Sequence, residues 1–174
     1  GIQRVVRAIW DQLAHFELGG VEVVRVFASR HHGYCRAPGD FLAHAEDRPA
    51  DELRLISVGA GDMFLGLDLA AHLLPYHEGQ VRAWKAAGAT IHLVVYDLLP
   101  ITGASWFNPR MQVNFARWLS MVSRQADSAL CISDHVATEL RDWLKDHAVD
   151  RADIIRLSRI RLGADLAASL PSTG

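Results

Sequence analysis

Thr90-Ile91-His92-Leu93-Val94-Val95-Tyr96, running into Asp97-Leu98-Leu99-Pro100, is a nearly continuous apolar stretch that ends on an acid and a proline. A strand with one wet face alternates apolar and polar residues. Continuous hydrophobicity is what a strand needs when helices cover both faces of its sheet. The stretch therefore reads as an inner strand of a parallel α/β sheet. C-terminal to it, Asn108-Pro109 opens a long helix to about Ala126, with Val113, Phe115, Ala116, Leu119 and Val122 available for packing. Ser128-Ala129-Leu130-Cys131-Ile132 is another buried strand. Ser133 is placed to cap a helix whose Val136, Leu140, Trp143 and Leu144 form the inward stripe. Residues 153–157 give a last short strand, followed by the loop Arg161-Leu162-Gly163-Ala164-Asp165.

N-terminal to the same stretch, Pro75 starts a helix over residues 76–87 that Gly88 stops, with a shorter helix expected at 68–74. Residues 53–58 read as a strand closed by Gly59-Ala60-Gly61-Asp62, and 28–49 as a long loop without periodicity. Residues 21–27 are β-branched and strand-like. Apolar residues at 2, 5, 6, 9, 10, 13 and 16 make one face of a helix over 2–18, which Gly19-Gly20 ends. The order is helix, strand, strand, helix, strand, helix, strand, helix, strand. It predicts right-handed crossovers and a Rossmann-like, mostly parallel sheet flanked by helices. A helix with no strand before it leaves the first βα unit incomplete, so a strand is expected upstream. Leu170-Pro171-Ser172-Thr173-Gly174 reads as linker. The expected organisation is one domain over 1–166, a linker over 167–174, and a further domain beyond.

The bulk numbers exclude several classes. At 174 residues the chain is near the size of one domain, and with half its residues hydrophobic and 22% charged it should fold. Its 18 basic and 20 acidic side chains give no electrostatic reason to expect nucleic acid as a partner. No apolar run approaches the roughly 20 residues of a membrane span. Cys35 and Cys131 form no framework. The nine histidines lack ligand spacing, so no metal is expected. No phosphate-binding loop of the Gly-x-x-x-x-Gly-Lys type occurs, and Phe64 stands where Gly59-Ala60-Gly61 would need the third glycine of a dinucleotide fingerprint. No cofactor is expected.

Ligands of open parallel sheets bind beyond the carboxyl ends of the strands, so residues 59–64, 96–106 and 132–133 are expected to share one edge. Asp97, at the end of an apolar strand, either accepts backbone N–H bonds and braces the Pro100 turn or meets a substrate hydroxyl or reacting group. Tyr96 offers an amphipathic face to a sugar ring or fills the layer between sheet and helix. Asp62 caps or binds, Phe64 packs or binds, and Asp68 follows them. In Thr102-Gly103-Ala104-Ser105-Trp106-Phe107, exposed aromatics would suit an acceptor with apolar parts; with Arg110 they would meet a lipid-linked acceptor or the membrane surface. Ser133 reads as a helix cap rather than a nucleophile. In the first turn, Gly1 and Ile2 would offer backbone N–H groups to a phosphate, and Arg4 a charged fork, or else simply begin a helix.

Three stretches carry a family resemblance. Gly1-Ile2-Gln3-Arg4-Val5 resembles the Gly-Ile-Gly-Arg segment after the first strand of bacterial GT-B glycosyltransferases of family 4. Residues 94–100 resemble their acidic cleft turn, and Leu130-Cys131-Ile132-Ser133 with Val136 their Ile-Ser-x-x-Val element; Leu162-Gly163-Ala164-Asp165 is similar to the turn near the passage to the second domain. The resemblance spans essentially the whole chain. It implies the N-terminal, acceptor-side half of a GT-B fold, with the C-terminal domain as partner holding most contacts to a nucleotide-diphosphate sugar. It implies a retaining transfer of mannose, rhamnose or glucose to a glycan or lipid-linked acceptor in lipopolysaccharide, capsule or other cell-surface polysaccharide synthesis. The place implied is the cytoplasm, with peripheral contact at the inner membrane face. Gly1 and Ile2 would face the donor diphosphate, and Asp97 and its neighbours the transferred sugar. Tyr96 stands where many members have His, and Gln3 where many have a second glycine. The alternatives are a non-catalytic Rossmann-like binding module and a fragment of a nucleotide-sugar epimerase or oxidoreductase.

Overall fold

The computed structural model describes residues 2–15, 19–37, 55–147 and 155–161. The elements are helix α1 (Ile2–His15), strands β1 (Val26–Phe27), β2 (Cys35–Arg36) and β3 (Met63–Gly66), helix α2 (Glu78–Ala86), strand β4 (Thr90–Val95), the single turn α3 (Leu99–Thr102), helix α4 (Pro109–Gln125), strand β5 (Ser128–Cys131), helix α5 (Asp134–His147) and strand β6 (Arg156–Arg159). Short 3-10 turns at Leu74–His77 and Ala104–Trp106 precede α2 and α4.

Strands β3, β4, β5 and β6 lie side by side in that order and all run parallel. This is the Rossmann-like α/β sheet expected from the continuous apolar strand. Each crossover steps the same way across the sheet, so right-handed connections place α2, α4 and α5 over one face. That face holds the core. From β4 it takes Ile91, Leu93 and Val95, alternate residues as the period of a strand requires. Ala129 and Cys131 of β5 join them, and the helices add Val81, Trp84, Phe115, Trp118, Leu119, Val122, Val136, Leu140 and Leu144. The opposite face is more polar. There His92 sets its ring nitrogens 2.6 Å from Ser128 Oγ and 3.0 Å from Thr90 Oγ1.

One side chain ties α2 to two strands. Asp127 accepts from Lys85 Nζ at 2.5 Å and from the Ile91 backbone N–H at 2.8 Å, while its own carbonyl accepts the Arg156 N–H at 3.0 Å. It thereby fixes where β4, β5 and β6 begin relative to one another.

Several expectations are corrected. The strand between the long loop and the first crossover is Met63–Gly66, not 53–58; in that earlier stretch Leu55 only bridges Cys35, antiparallel, and residues 53–54 lie outside the described ones. Val21–27 was expected to be strand throughout, but only Val26 and Phe27 pair, antiparallel with β2 and apart from the main sheet. Residues 68–73 form bends and turns instead of a short helix, Leu74 already opens the 3-10 turn, and the α-helix expected over 76–87 is Glu78–Ala86. The last strand is Arg156–Arg159, a few residues later than expected. Val113, counted for packing, is exposed.

Candidate functional site

The carboxyl edge of the sheet is laced by short bonds between successive strand ends. Tyr96 O–H donates to the Leu67 carbonyl at 2.8 Å, the Ile132 N–H to the Val95 carbonyl at 3.2 Å, and the Ile160 N–H to the Cys131 carbonyl at 2.9 Å. These bonds set Leu67-Asp68, Tyr96-Asp97, Ile132-Ser133 and Ile160-Arg161 along one rim. Between the last two pairs is a cavity of about 470 Å³ lined by Ile132, Ser133, Asp134, Arg159, Ile160 and Arg161. Arg159 Nη1 lies 2.5 Å from Asp134 Oδ2 across it.

Asp97 is half-buried. Its Oδ1 accepts the Leu99 N–H at 3.1 Å, the side-chain-to-backbone turn that starts α3 just before the buried Pro100. Its second oxygen has no bonding partner among the described residues. A carboxylate with one oxygen fixed by backbone and the other available can hold a ligand hydroxyl without moving.

Tyr96 is buried up to its hydroxyl. Burial, with the Asp68 carboxylate nearby, raises the pKa of its phenol. Tyr34 is raised the same way, by burial first and then by Asp68. Two neutral phenols thus face one exposed carboxylate at the end of β3. Tyr34 is brought there from the loop over 28–37 by Gln80 of α2, whose Oε1 accepts the Tyr34 N–H at 2.7 Å and whose Nε2 donates to the Tyr34 carbonyl at 3.2 Å. His77 Nε2, 2.6 Å from the Ser29 carbonyl, pins the same loop. A Cβ on Gly33 would lie 2.5 Å from Gln80 Oε1, so glycine is what lets the clamp close. Tyr34, His77 and Gln80 were not picked out from the sequence. Their only local sign is a Tyr after a Gly in an aperiodic stretch.

The loop after Asp97 is also held from beneath. Gln112 Nε2 donates to the Ala104 and Phe107 carbonyls at 2.6 and 2.8 Å, and Asn108 Oδ1 caps α4 by accepting the Met111 N–H at 2.9 Å. Trp106 lies over Gly103, where a Cβ would come within 2.7 Å of the indole, yet it is 77% exposed. Phe107 is half-buried and Arg110 exposed. Ser133 Oγ accepts the Val136 N–H at 3.2 Å, acting as the helix cap the sequence suggested.

Two residues separate from this rim. The turn at 59–62 sits at the opposite edge, because the Asp62 carbonyl accepts the N–H of Thr90 at the start of β4. Asp62 closes that turn on itself, its carboxylate accepting the Gly59 N–H at 2.9 Å. The expectation that 59–64 shares an edge with 96–106 and 132–133 is therefore overturned, and Asp68 holds the place at the end of β3. Phe64 is buried in an aromatic cluster, its ring 5.1 Å from Tyr34 and 5.3 Å from Trp84. In the first turn of α1, Ile2 is half-buried and Arg4 exposed; Gly1 and residues 162–165 lie outside the described residues. Among the described residues no group of three or more His, Cys, Asp or Glu could hold a metal, and no helix is long and apolar enough to cross a membrane.

No family model and no solved structure matches the chain. Curated relatives do. Three proteins of Escherichia coli, each described as a serotype-specific mannosyltransferase WbdA, are 36% identical over 177 or 178 residues, covering all of this chain. The chain spans only 21–22% of their length. It is, from end to end, homologous to one segment of these much longer mannosyltransferases.

Proposed function

We propose that the chain is the acceptor-side, N-terminal domain of a retaining GT-B glycosyltransferase of family 4. It serves the transfer of mannose from a nucleotide-diphosphate sugar to a glycan or lipid-linked acceptor in the synthesis of a cell-surface polysaccharide such as lipopolysaccharide. The observation that carries the reading is unbroken similarity to mannosyltransferases along the whole chain. Rhamnose and glucose donors, equally open from the sequence, have no such support. A C-terminal domain completes the cleft and supplies most donor contacts.

In this reading Asp97 is the catalytic carboxylate of the domain. Its bonded oxygen holds its position, and the free one orients the acceptor hydroxyl toward the sugar carbon. Tyr96 and Asp68 line the acceptor side beside it, with Trp106, Phe107 and Arg110 farther along the rim and the Ser133 turn at its other end. The N–H groups of the first turn of α1 and the Arg4 guanidinium meet charge that develops on the leaving diphosphate. Donor phosphate, rather than an enzyme nucleophile, takes the acceptor proton. Asp62 and Phe64 are left out of the cleft.

The test is a transfer assay on the full natural polypeptide with nucleotide-diphosphate mannose, rhamnose and glucose, the product anomer being read by NMR. Retained configuration with the mannose donor is expected. Asp97→Asn keeps an oxygen for the Leu99 N–H but lacks the charge, and should lower kcat on the order of a hundredfold at unchanged thermal stability. Wild-type turnover in that variant would leave Asp97 as a turn brace only. Conversion of the donor without any acceptor would favour the epimerase alternative.

A further inference from the structure

We propose that the Tyr34 hydroxyl and the Asp68 carboxylate together form a subsite for a neutral sugar ring, binding its hydroxyl groups one strand away from Asp97. The proposal rests on the acceptor-side reading above and adds to it a contact residue, Tyr34, and the chemistry of what it holds.

The Tyr34 ring is locked. It is 7% exposed, set edge-on to Phe64 at 5.1 Å and to His77 at 5.9 Å, and tilted against Trp84 at 5.7 Å. Gln80 holds its backbone N–H and carbonyl at once. Yet the Tyr34 hydroxyl has no hydrogen-bond partner among the described residues, where a phenol this deeply packed ordinarily has one. The hydroxyl is not sealed in either. Trp118 Nε1 is the one fully enclosed side-chain N or O without a bond among the described residues, so the oxygen of Tyr34 reaches the surface. Tyr96 differs, because its O–H is already given to the Leu67 carbonyl. One phenol fastens the rim and the other presents an unused donor there.

Asp68 supplies the complement. It is exposed, and its carboxylate has neither an ion pair nor a hydrogen bond among the described residues. Its charge is close enough to raise the pKa of both phenols, after burial, so Tyr34 keeps its proton and can donate it. A sugar hydroxyl both accepts and donates. It can take the Tyr34 O–H on its oxygen and give its own hydrogen to Asp68, leaving the second carboxylate oxygen for a neighbouring hydroxyl. Strands β3 and β4 are adjacent, which sets this pair about 5 Å across from the Asp97 turn. The segments that carry the two acids, 58–77 and 94–109, contain no Lys or Arg. A phosphorylated ligand would meet like charge here, and a neutral polyol does not.

The experiment titrates the full natural polypeptide with methyl mannobioside and with methyl mannoside 6-phosphate, followed by ligand-observed NMR with no donor present. Saturable binding of the neutral disaccharide is expected, at least tenfold tighter than that of the phosphate. Tyr34→Phe keeps the ring packing and removes only the O–H, and should weaken disaccharide binding about tenfold at an unchanged melting temperature. Asp68→Asn should weaken it at least as much, while Asp142→Asn on α5 should bind as wild type. In the transfer assay both rim variants should raise the acceptor KM and leave the donor KM unmoved. An unaltered affinity in Tyr34→Phe and Asp68→Asn, tighter binding of the phosphate, or no saturable binding to the wild type would overturn the proposal. Because the titration contains no donor, a protein that transfers nothing can still pass it. Transfer with an unchanged acceptor KM in both variants would sink the subsite and leave the transferase reading standing.

Discussion

One oxygen of Asp97 braces the turn before Pro100, the first of the two readings the sequence left open, and the other has no bonding partner among the described residues. Its importance was legible because an acid closing an apolar strand has to be answered by something. Asp62 looked equivalent in sequence, following a Gly-rich turn, and is not: its carboxylate is turned on Gly59 at the far edge. Nothing local distinguishes the two, because the difference lies in which end of a strand the turn occupies. His92 gives a prediction at this scale. Burial lowers its folded pKa, outweighing the raising effect of Asp127. The unfolded chain, with an ordinary value near about 6.5, then binds more protons below that pH. The contribution of His92 is fully present above the unfolded pKa and declines as pH falls toward the folded one. Urea midpoints should accordingly drop between about pH 8 and about pH 5, with a smaller drop in His92→Gln. Glu78, whose pKa is lowered chiefly by its bond to Arg124, adds a separate loss at more acid pH.

Elements with strong local signals emerged where expected. Proline at the start, regular apolar spacing and an Asn cap defined α4, and an unbroken apolar run defined β4. Strand β3 was missed because Met63-Phe64-Leu65-Gly66 has no β-branched residue and contains a glycine, both signs against a strand. Packing overrides them. A Cβ on Gly66 would lie 2.6 Å from Leu93 Cδ2, so the glycine admits the close approach of β4. Residues 53–58 have better strand composition, but the described ones among them, 55–58, have only a single bridge to pair with. The tie made by Asp127 belongs to this scale as well. Asp127→Ala removes an acceptor from a buried backbone N–H and from Lys85, and should destabilise the domain by about 2 kcal/mol. Asp127→Asn, which keeps an acceptor for the Ile91 N–H, should lose less. Chemical denaturation of both variants measures the difference, and equal losses would show that the ion pair with Lys85 dominates.

For the whole molecule, the chain matches only about a fifth of each mannosyltransferase, and the proposed function places most donor contacts in a second domain. The isolated 174 residues should transfer no sugar above background with any nucleotide sugar and a suitable acceptor, a result a sensitive radiochemical assay can check. A clear rate would relocate the donor site into this domain. The overall class, a parallel sheet under helices, followed from periodicity and order alone. The rim did not, because it depends on where each strand ends and on contacts such as Gln80 with Tyr34, separated by 46 positions in sequence. The arrangement of the sheet has one more consequence, for synthesis. Each strand from β4 onward lies against the one made just before it. During translation each of these strands therefore emerges to a finished edge, and the four-stranded sheet can close in the order of synthesis without awaiting distant sequence.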